Sequence, residues 1–460
     1  MSTLRPRNPE ELRRTVEWAL NDGVALDIEG RGSKRAYGQP RAAAHVLSLA
    51  GIEGVVDYQP EELVITVKAG TPMREVESLL AQRRQMLAFE PPDLGAILGG
   101  APGEGSLAGA LMCNLAGPRR IAAGAARDHF LGFQGVNGRA ERFKSGGRMV
   151  KNVTGYDLSK LMAGSLGTLA ALDEVTVKVV PAPEKVHTLL LVGLDDDAAI
   201  AALCAAMGSP HEVSGAAHLP ADLATRSGID LVAQQGGAVT AIRIEGVAPS
   251  VAARLQALRA EFASTAPGME ELHTMRSRLF WEEVRDVRLL SFTSPLVGEV
   301  GRAQRGREGG PDARSSVPTP LPNPPPQGGR GDEGAPHLWK ISCPPTEGAS
   351  VVAAVRERRP DAQAQYDWSG GLVWLSLASG DPATDDAAHV AVRAALIESG
   401  GHATLVRAPE AVRARVPVFQ PRSPALVALS RRVKESFDPR GIFSPGRMHG
   451  GPQTVVHSDH

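Results

Sequence analysis

VKNVTGYDLSKLMAGSLGTLAALDEVTVKVVP, residues 150–181, is the segment around which the chain is organised. Asn152 and Thr154 lead into a short helix carrying Leu158, Leu161 and Met162 at 3/4 spacing. A turn of small residues follows, Gly164-Ser165-Leu166-Gly167-Thr168, and then a strand in which Val175, Val177 and Val179 alternate with polar neighbours. A turn of Gly, Ser and Thr lets backbone N–H groups approach a bound group closely, so the segment reads as a floor for a cofactor. Taken alone, the Gly164–Thr168 turn reads better as an ordinary helix–turn–strand joint.

Composition bounds what such a floor can serve. The chain has 460 residues, enough for two or three domains with sizeable cores. Lys plus Arg (50) and Asp plus Glu (51) nearly balance, which argues against nucleic acid or an anionic membrane as a partner of the whole chain. Cys113, Cys204 and Cys343 are scattered, which excludes a self-contained cysteine-ligated cluster or zinc ribbon and suits a reducing cytoplasm. No apolar run reaches membrane-spanning length, and MSTLRPRNPEEL lacks the apolar centre of a signal peptide. A soluble or peripherally docked protein is expected.

From the N-terminus, residues 8–22 predict an amphipathic helix capped near Asn8, with Leu12, Val16 and Leu20 on one face. A strand at Val24–Ile28 runs into Gly30-Arg31-Gly32-Ser33-Lys34, whose backbone amides and ammonium suit a pyrophosphate; a bland surface turn reads as well, and no Walker A loop is present. A strand at Glu62–Ala69 precedes Gly70-Thr71-Pro72 and a helix from Met73 to Arg83. The glycines 103, 105 and 109 imitate a dinucleotide fingerprint, but the spacing is off by one and no clear strand precedes them.

The GRGSK turn, ELVITVKAGTPMREVESLL, QMLAFEPPD, LAGALMCNLAGPRR, ARDHFLG and the 150–181 block stand in an order and at separations that resemble one family. It is the vanillyl-alcohol oxidase/PCMH-type FAD-binding superfamily, and within it the FAD-binding E subunit of the bacterial glycolate oxidase (glycolate dehydrogenase) complex. The resemblance covers residues 10–182 and extends through HLWKISCPP, QYDWSGGLVWL and ESFDPRGIFSPGRM. It implies an α+β fold: a two-lobed PCMH-type FAD-binding domain over 1–182 and an α+β cap over 183–424. A segment at 425–448 would pack back on the FAD domain, and 449–460 form a tail.

The same resemblance implies roles. Gly30, Arg31, Gly32, Ser33 and Lys34 would cradle the FAD pyrophosphate; Ser106, Leu107, Ala108 and Gly109 would lie against the cofactor, with Asn114, Gly117 and Pro118 beside the flavin. Lys151, Asn152, Gly155, Tyr156 and Asp157 would shape the ring pocket, Gly164, Ser165, Gly167 and Thr168 would make backbone contacts, and Val175 would complete the set. Ala108 and Ala170 stand where the superfamily commonly has glycine, which matters if either needs a positive φ or backbone contact. The first turn has no histidine, so non-covalent FAD is expected, without the flavin–histidine link of some relatives.

The HxxGDGxxH element of the catalytic 2-hydroxy-acid flavoproteins is absent, and the histidines are dispersed; each reads as a surface or core side chain. A base for the hydroxyl proton and a cation for the carboxylate are both needed, and the sequence singles out neither. The resemblance implies FAD-dependent oxidation of a small 2-hydroxy acid, glycolate to glyoxylate. The partners would be a catalytic flavoprotein subunit and an iron–sulfur subunit, in the cytoplasm or at the inner face of the plasma membrane through the complex. A stand-alone 2-hydroxy-acid dehydrogenase and a redox-silent scaffold are the other readings.

Residues 183–290 alternate strand and helix, and Arg276, Arg278, Trp281, Arg285 and Arg288 make a basic helix read mainly as a solvated face. Residues 293–336 are dense in Gly, Pro and Arg and read as an unstructured insertion in a surface loop, a passenger with no catalytic duty; a polyproline partner-binding linker is the rival reading. Order returns with a helix at Val351–Arg358, a strand at Leu372–Leu377 and a terminal helix at Leu426–Phe437 stopped by Asp438-Pro439.

Overall fold

In the computed structural model of the chain, residues 2–40, 43–147, 155–290 and 335–448 are described. Lys151, Asn152, nearly all of 293–336 and the 449–460 tail lie outside them. The first helix spans Pro9–Asp22: the Asn8 side chain caps it by accepting from Glu11 N, Pro9 sits at its start, and Gly23 ends it at φ 66°. Its buried face, with Leu12 and Val16, joins the core of the first lobe.

The strands of that lobe are β1 (Ser2–Leu4), β2 (Leu26–Glu29), β3 (His45–Ser48), β4 (Val55–Gln59), β5 (Val64–Lys68), β6 (Gln85–Met86), β7 (Phe130–Asn137), β8 (Arg142–Gly146), β9 (Ala170–Lys178) and β10 (Val180–Pro181). Among the described residues, β1-β3-β2 form a small parallel sheet, β4-β5-β9-β7-β8 an antiparallel one, and β10 pairs with β6. Val175 and Val177 on β9 face Val67 and Ile65 on β5. β9 begins five residues before the valines that announce it, because Ala170–Leu172 pair with Gly135–Asn137. Alanine carries little strand signal of its own; the pairing partner supplies it.

The second half builds β11 (Lys185–Val192), β12 (Gly215–Leu219), β13 (Val239–Gly246), β14 (Gly268–His273), β15 (His337–Ser342), β16 (Gln363–Asp367), β17 (Leu372–Leu377) and β18 (His402–Arg407). They form one antiparallel sheet in the order β14-β11-β13-β12-β16-β17-β15-β18. Helices Asp196–Gly208, Ala248–Glu261, Gly348–Arg356 and Pro382–Ser399 cover one face. The other face turns to the first lobe: Leu338, Trp368, Leu372 and Trp374 share a core with Tyr37, Leu94, Ile97, Leu115 and Leu166. The whole is an α+β fold, as expected. None of the described helices is long and apolar enough to cross a membrane.

Two local expectations change. His218 is not in a loop but on β12, fully buried, its ring 2.8 Å from Thr240 Oγ1 and 3.2 Å from Asp196 Oδ1. The polar partners across the strand make a histidine tolerable there, so it remains a satisfied core side chain. The helix Thr274–Arg285 is not a plain solvated face: Trp281 is buried, with the Arg243 guanidinium 4.6 Å from its ring centre, and Arg285 is bound to Asp286.

Candidate functional site

β2 delivers the chain into a loop at Gly30–Arg35, and that loop lies over the turn that ends at Gly167. The turn is joined to the helix Leu107–Met112 by backbone bonds, Gly164 N to Leu111 O (3.2 Å) and Leu166 N to Met112 O (2.9 Å). Between these three pieces runs a groove lined by Gly30–Lys34, Ser106, Ala108, Gly109, Cys113, Gly167, Ala170 and Arg447, among others. Close approach requires the glycine at 30: a Cβ there would stand 2.5 Å from Ser106 Oγ. Gly167, at φ 73°, leads the chain past Ile28 into β9.

Two cations of the groove, Lys34 and Arg31, keep donors that no protein group satisfies among the described residues. Lys34 Nζ has only Ser33 Oγ, at 3.3 Å, and no carboxylate within ion-pair reach among the described residues; burial pushes its pKa below the ordinary lysine value. Arg31 meets Glu53 at 3.1 Å, but its Nε is buried without a hydrogen-bond partner. A cation held out of water without an acid is costly unless an anion completes it, so this donor set fits a diphosphate. Ala108 and Ala170 both line the groove, and neither has a positive φ, so their methyls impose no backbone strain.

The remaining residues of the expected set divide. Leu107 and Val175 are fully buried in the core beneath the groove. Ser165 and Thr168 are buried in the turn, where Thr168 Oγ1 donates to Ser165 O at 2.7 Å. Asn114 has φ 48° and its side chain accepts from Arg127 N at 3.1 Å. Gly117 and Pro118 are buried at the contact between the lobes; a Cβ on Gly117 would stand 2.4 Å from Glu90 O, and its carbonyl accepts from Trp368 Nε1 at 2.9 Å. Gly155, Tyr156 and Asp157 are exposed, Tyr156 by 90 %, and Asp157 caps the helix Leu158–Met162.

Sequence reasoning missed Arg447. Its guanidinium, 5 % exposed, donates to Lys34 O (3.0 Å), Ile28 O (3.2 Å), Leu166 O (3.3 Å) and Tyr37 O (3.4 Å), fastening the loop to the turn. The only signal for it was the expectation that IFSPGRM packs back on the first lobe. That tail does so by pairing with β2, Leu26 N to Ile442 O and Ser444 N to Leu26 O, each 2.7 Å.

A second cleft, ≈ 1060 Å³, opens between the lobes. Arg243 grips Glu90 with both Nη atoms, at 3.0 and 2.9 Å, and Arg119 reaches Glu245 at 2.6 Å. Burial alone would raise the Glu90 pKa; Arg243 and Arg119 overcome that and hold it below the ordinary value. Positive and negative charges pair off within this cleft, whereas Lys34 in the groove has no acid partner among the described residues.

An FAD binding domain pattern matches residues 2–145, and the C-terminal domain pattern of FAD linked oxidases matches 418–448. Glycolate oxidase subunit GlcE of Escherichia coli (strain K12) is 30 % identical over 441 residues, 96 % of this chain and 97 % of that protein. The chain belongs to the family of FAD-linked glycolate oxidase E subunits. It is an FAD-dependent oxidoreductase, and FAD is its cofactor. Further relatives match in part: glycolate oxidase subunit GlcD of Bacillus subtilis (strain 168) is 30 % identical over 43 % of this chain and 41 % of that one. D-2-hydroxyglutarate dehydrogenase of Xanthomonas citri is 32 % identical over 40 % of this chain and 38 % of that one. A p-cresol methylhydroxylase structure shares the fold at TM-score 0.70 with 12 % identity, over 97 % of this chain and 88 % of that one.

Proposed function

We propose that this chain is the FAD-binding subunit of a glycolate-oxidising complex, taking part in the oxidation of glycolate to glyoxylate. Electrons leave through a partner iron–sulfur subunit, and a catalytic flavoprotein subunit completes the assembly. The observation that carries the reading is the end-to-end match to a glycolate oxidase subunit, 97 % of whose length is covered. The partial likeness to hydroxy-acid dehydrogenases supports the same substrate class. The chain has three cysteines, one fewer than a four-thiolate cluster uses, which favours placing the iron–sulfur relay on another polypeptide.

Bound FAD supplies a two-electron acceptor. Lys34 and Arg31 neutralise its diphosphate, the glycines at 30 and 32 let backbone approach it, and Ser106 with Gly109 closes the opposite wall. Arg447 keeps the two walls in register from behind. A cofactor held without a covalent link to histidine is the expectation, on the ground that the first glycine-rich turn, Gly30–Lys34, carries no histidine.

A visible spectrum of the purified chain, followed by anaerobic addition of glycolate or D-lactate, tests the reading. Bound flavin that stays oxidised alone but is reduced when the partner subunits are added is the expected result. Bleaching of the isolated chain's flavin makes it a dehydrogenase in its own right. A protein that stays colourless after FAD is added refutes redox work by this chain.

A further inference from the structure

Trp368 stands where the cap sheet meets the groove-bearing lobe, and it is held there by both. Its indole Nε1 donates to Gly117 O at 2.9 Å, and its backbone N–H donates to the Asp367 carboxylate at 2.7 Å. Trp368 and Ser369 have φ of 52° and 61°, two successive non-glycine residues in the left-handed region. Such backbone persists only where surrounding contacts enforce it, and it concentrates at functional sites.

Two cations flank this ring. Arg120 Cζ lies 4.4 Å from the ring centre and Lys340 Nζ 5.6 Å. Arg120 comes two residues after Pro118, close behind the Gly117-Pro118 turn. Lys340 is on β15, where Trp339 and Ile341 face the cap's own helices while Leu338 faces the first lobe. Alternation along the strand therefore puts Lys340 on the side of the first lobe. Its neighbours across the sheet there are Trp374 and Thr404.

Neither cation has a carboxylate within ion-pair distance among the described residues, although Arg119, one residue before Arg120, is paired with Glu245. Burial, and then the like charge of Arg120, push the Lys340 ammonium down to about 8. Cys113 lines the cofactor groove and lies within electrostatic reach of both Lys34 and Lys340. Cys113 also packs against the cluster that holds Trp368, so the pair borders the groove on its cap side. Arg120 is exposed and Lys340 half-buried, and an anionic ligand would offset the burial of Lys340 and the repulsion between the two charges.

We propose that Arg120 and Lys340 form the seat for the carboxylate of the 2-hydroxy-acid substrate, with the Trp368 ring as a wall that both cations adjoin. This rests on the reading of the chain as part of a glycolate-oxidising system, and it assigns to this chain the cation that its sequence does not reveal. Arg120 supplies a permanent charge and a planar donor fork; Lys340 supplies a point charge from the opposite lobe.

The test is anion binding to the FAD-loaded chain, read by calorimetry and by tryptophan emission, with oxalate and glycolate as probes. Wild type is expected to bind oxalate. Lys340→Met and Arg120→Gln should each weaken it at least ten-fold, and Lys340→Arg should recover most of it, with flavin content unchanged and no fall in melting temperature. Oxalate affinity in both variants within two-fold of wild type overturns the proposal. So does a wild-type chain that binds neither probe while the assembled complex oxidises glycolate, a result that leaves the function standing. A complex that does not oxidise glycolate, although oxalate binding collapses in the variants, supports the anion seat and refutes the function.

Discussion

Replacing Arg447 by Met should damage FAD binding more than any other change outside the groove's own loop. Arg447 joins three separate stretches: the end of β2 at Ile28, the loop at Lys34 and Tyr37, and the turn at Leu166. Methionine fills much of the same space and packs, so the cost is lost hydrogen bonds together with loss of the positive charge 4.0 Å from the buried Asp27 carboxylate. Four carbonyls lose their donor; two of the bonds are 3.0 and 3.2 Å and two are longer. Counting the two better ones at about 1.5–2 kcal/mol each gives roughly 3–4 kcal/mol, in the range for breaking a buried charged partner. If FAD must restore the register by itself, most of that appears in its affinity, a rise in Kd of up to about 100-fold. FAD titration followed by flavin fluorescence measures this, with melting curves taken with and without FAD. Arg447→Lys keeps the charge without the fork and should recover less than half of the loss. An FAD Kd within three-fold of wild type, with the same fall in melting temperature with and without FAD, would refute the argument and make Arg447 a general structural residue.

Lys34→Met should have opposite effects on the two forms of the protein. The apoprotein gains or keeps stability because a desolvated, unpaired ammonium is gone, while FAD affinity falls about 10- to 100-fold and loses part of its salt dependence; a melting shift on FAD addition as large as in wild type would count against the diphosphate role. Asp367, 2 % exposed, is pushed up to about 7 from 3.8 mainly by burial. Its folded-state pKa is raised, so the stability it contributes is highest in its protonated form and is lost as pH rises from about 4 to about 7. Asp367→Asn keeps the acceptor for Trp368 N and should remove that loss, gaining at most about 4 kcal/mol at pH 8 and less toward pH 5. Urea midpoints at the two pH values decide this, and an asparagine variant weaker than wild type at pH 8 contradicts it.

What the sequence alone determined is what short-range chemistry encodes. Asn8 before Pro9 set a helix start, Gly30-Arg31-Gly32-Ser33-Lys34 after a strand announced a glycine-rich loop, and the valines at 175 and 177 marked a strand. The order of such pieces also pointed to the family, because several weak motifs at fixed separations are jointly specific. Tertiary structure alone decided which side chains share a space. Arg447 reaches Lys34 across more than four hundred residues, and nothing in SPGRM says its guanidinium ends under that loop. Arg120 and Lys340 meet one tryptophan from two lobes, on a helix of four residues and a strand whose alternation hides a charge among apolar neighbours. Leu107 and Val175, also in the expected set, are fully buried core side chains. Local pattern fixes which face of an element is apolar; whether that face supports a ligand from below or touches it depends on long-range packing, to which no local window of sequence has access.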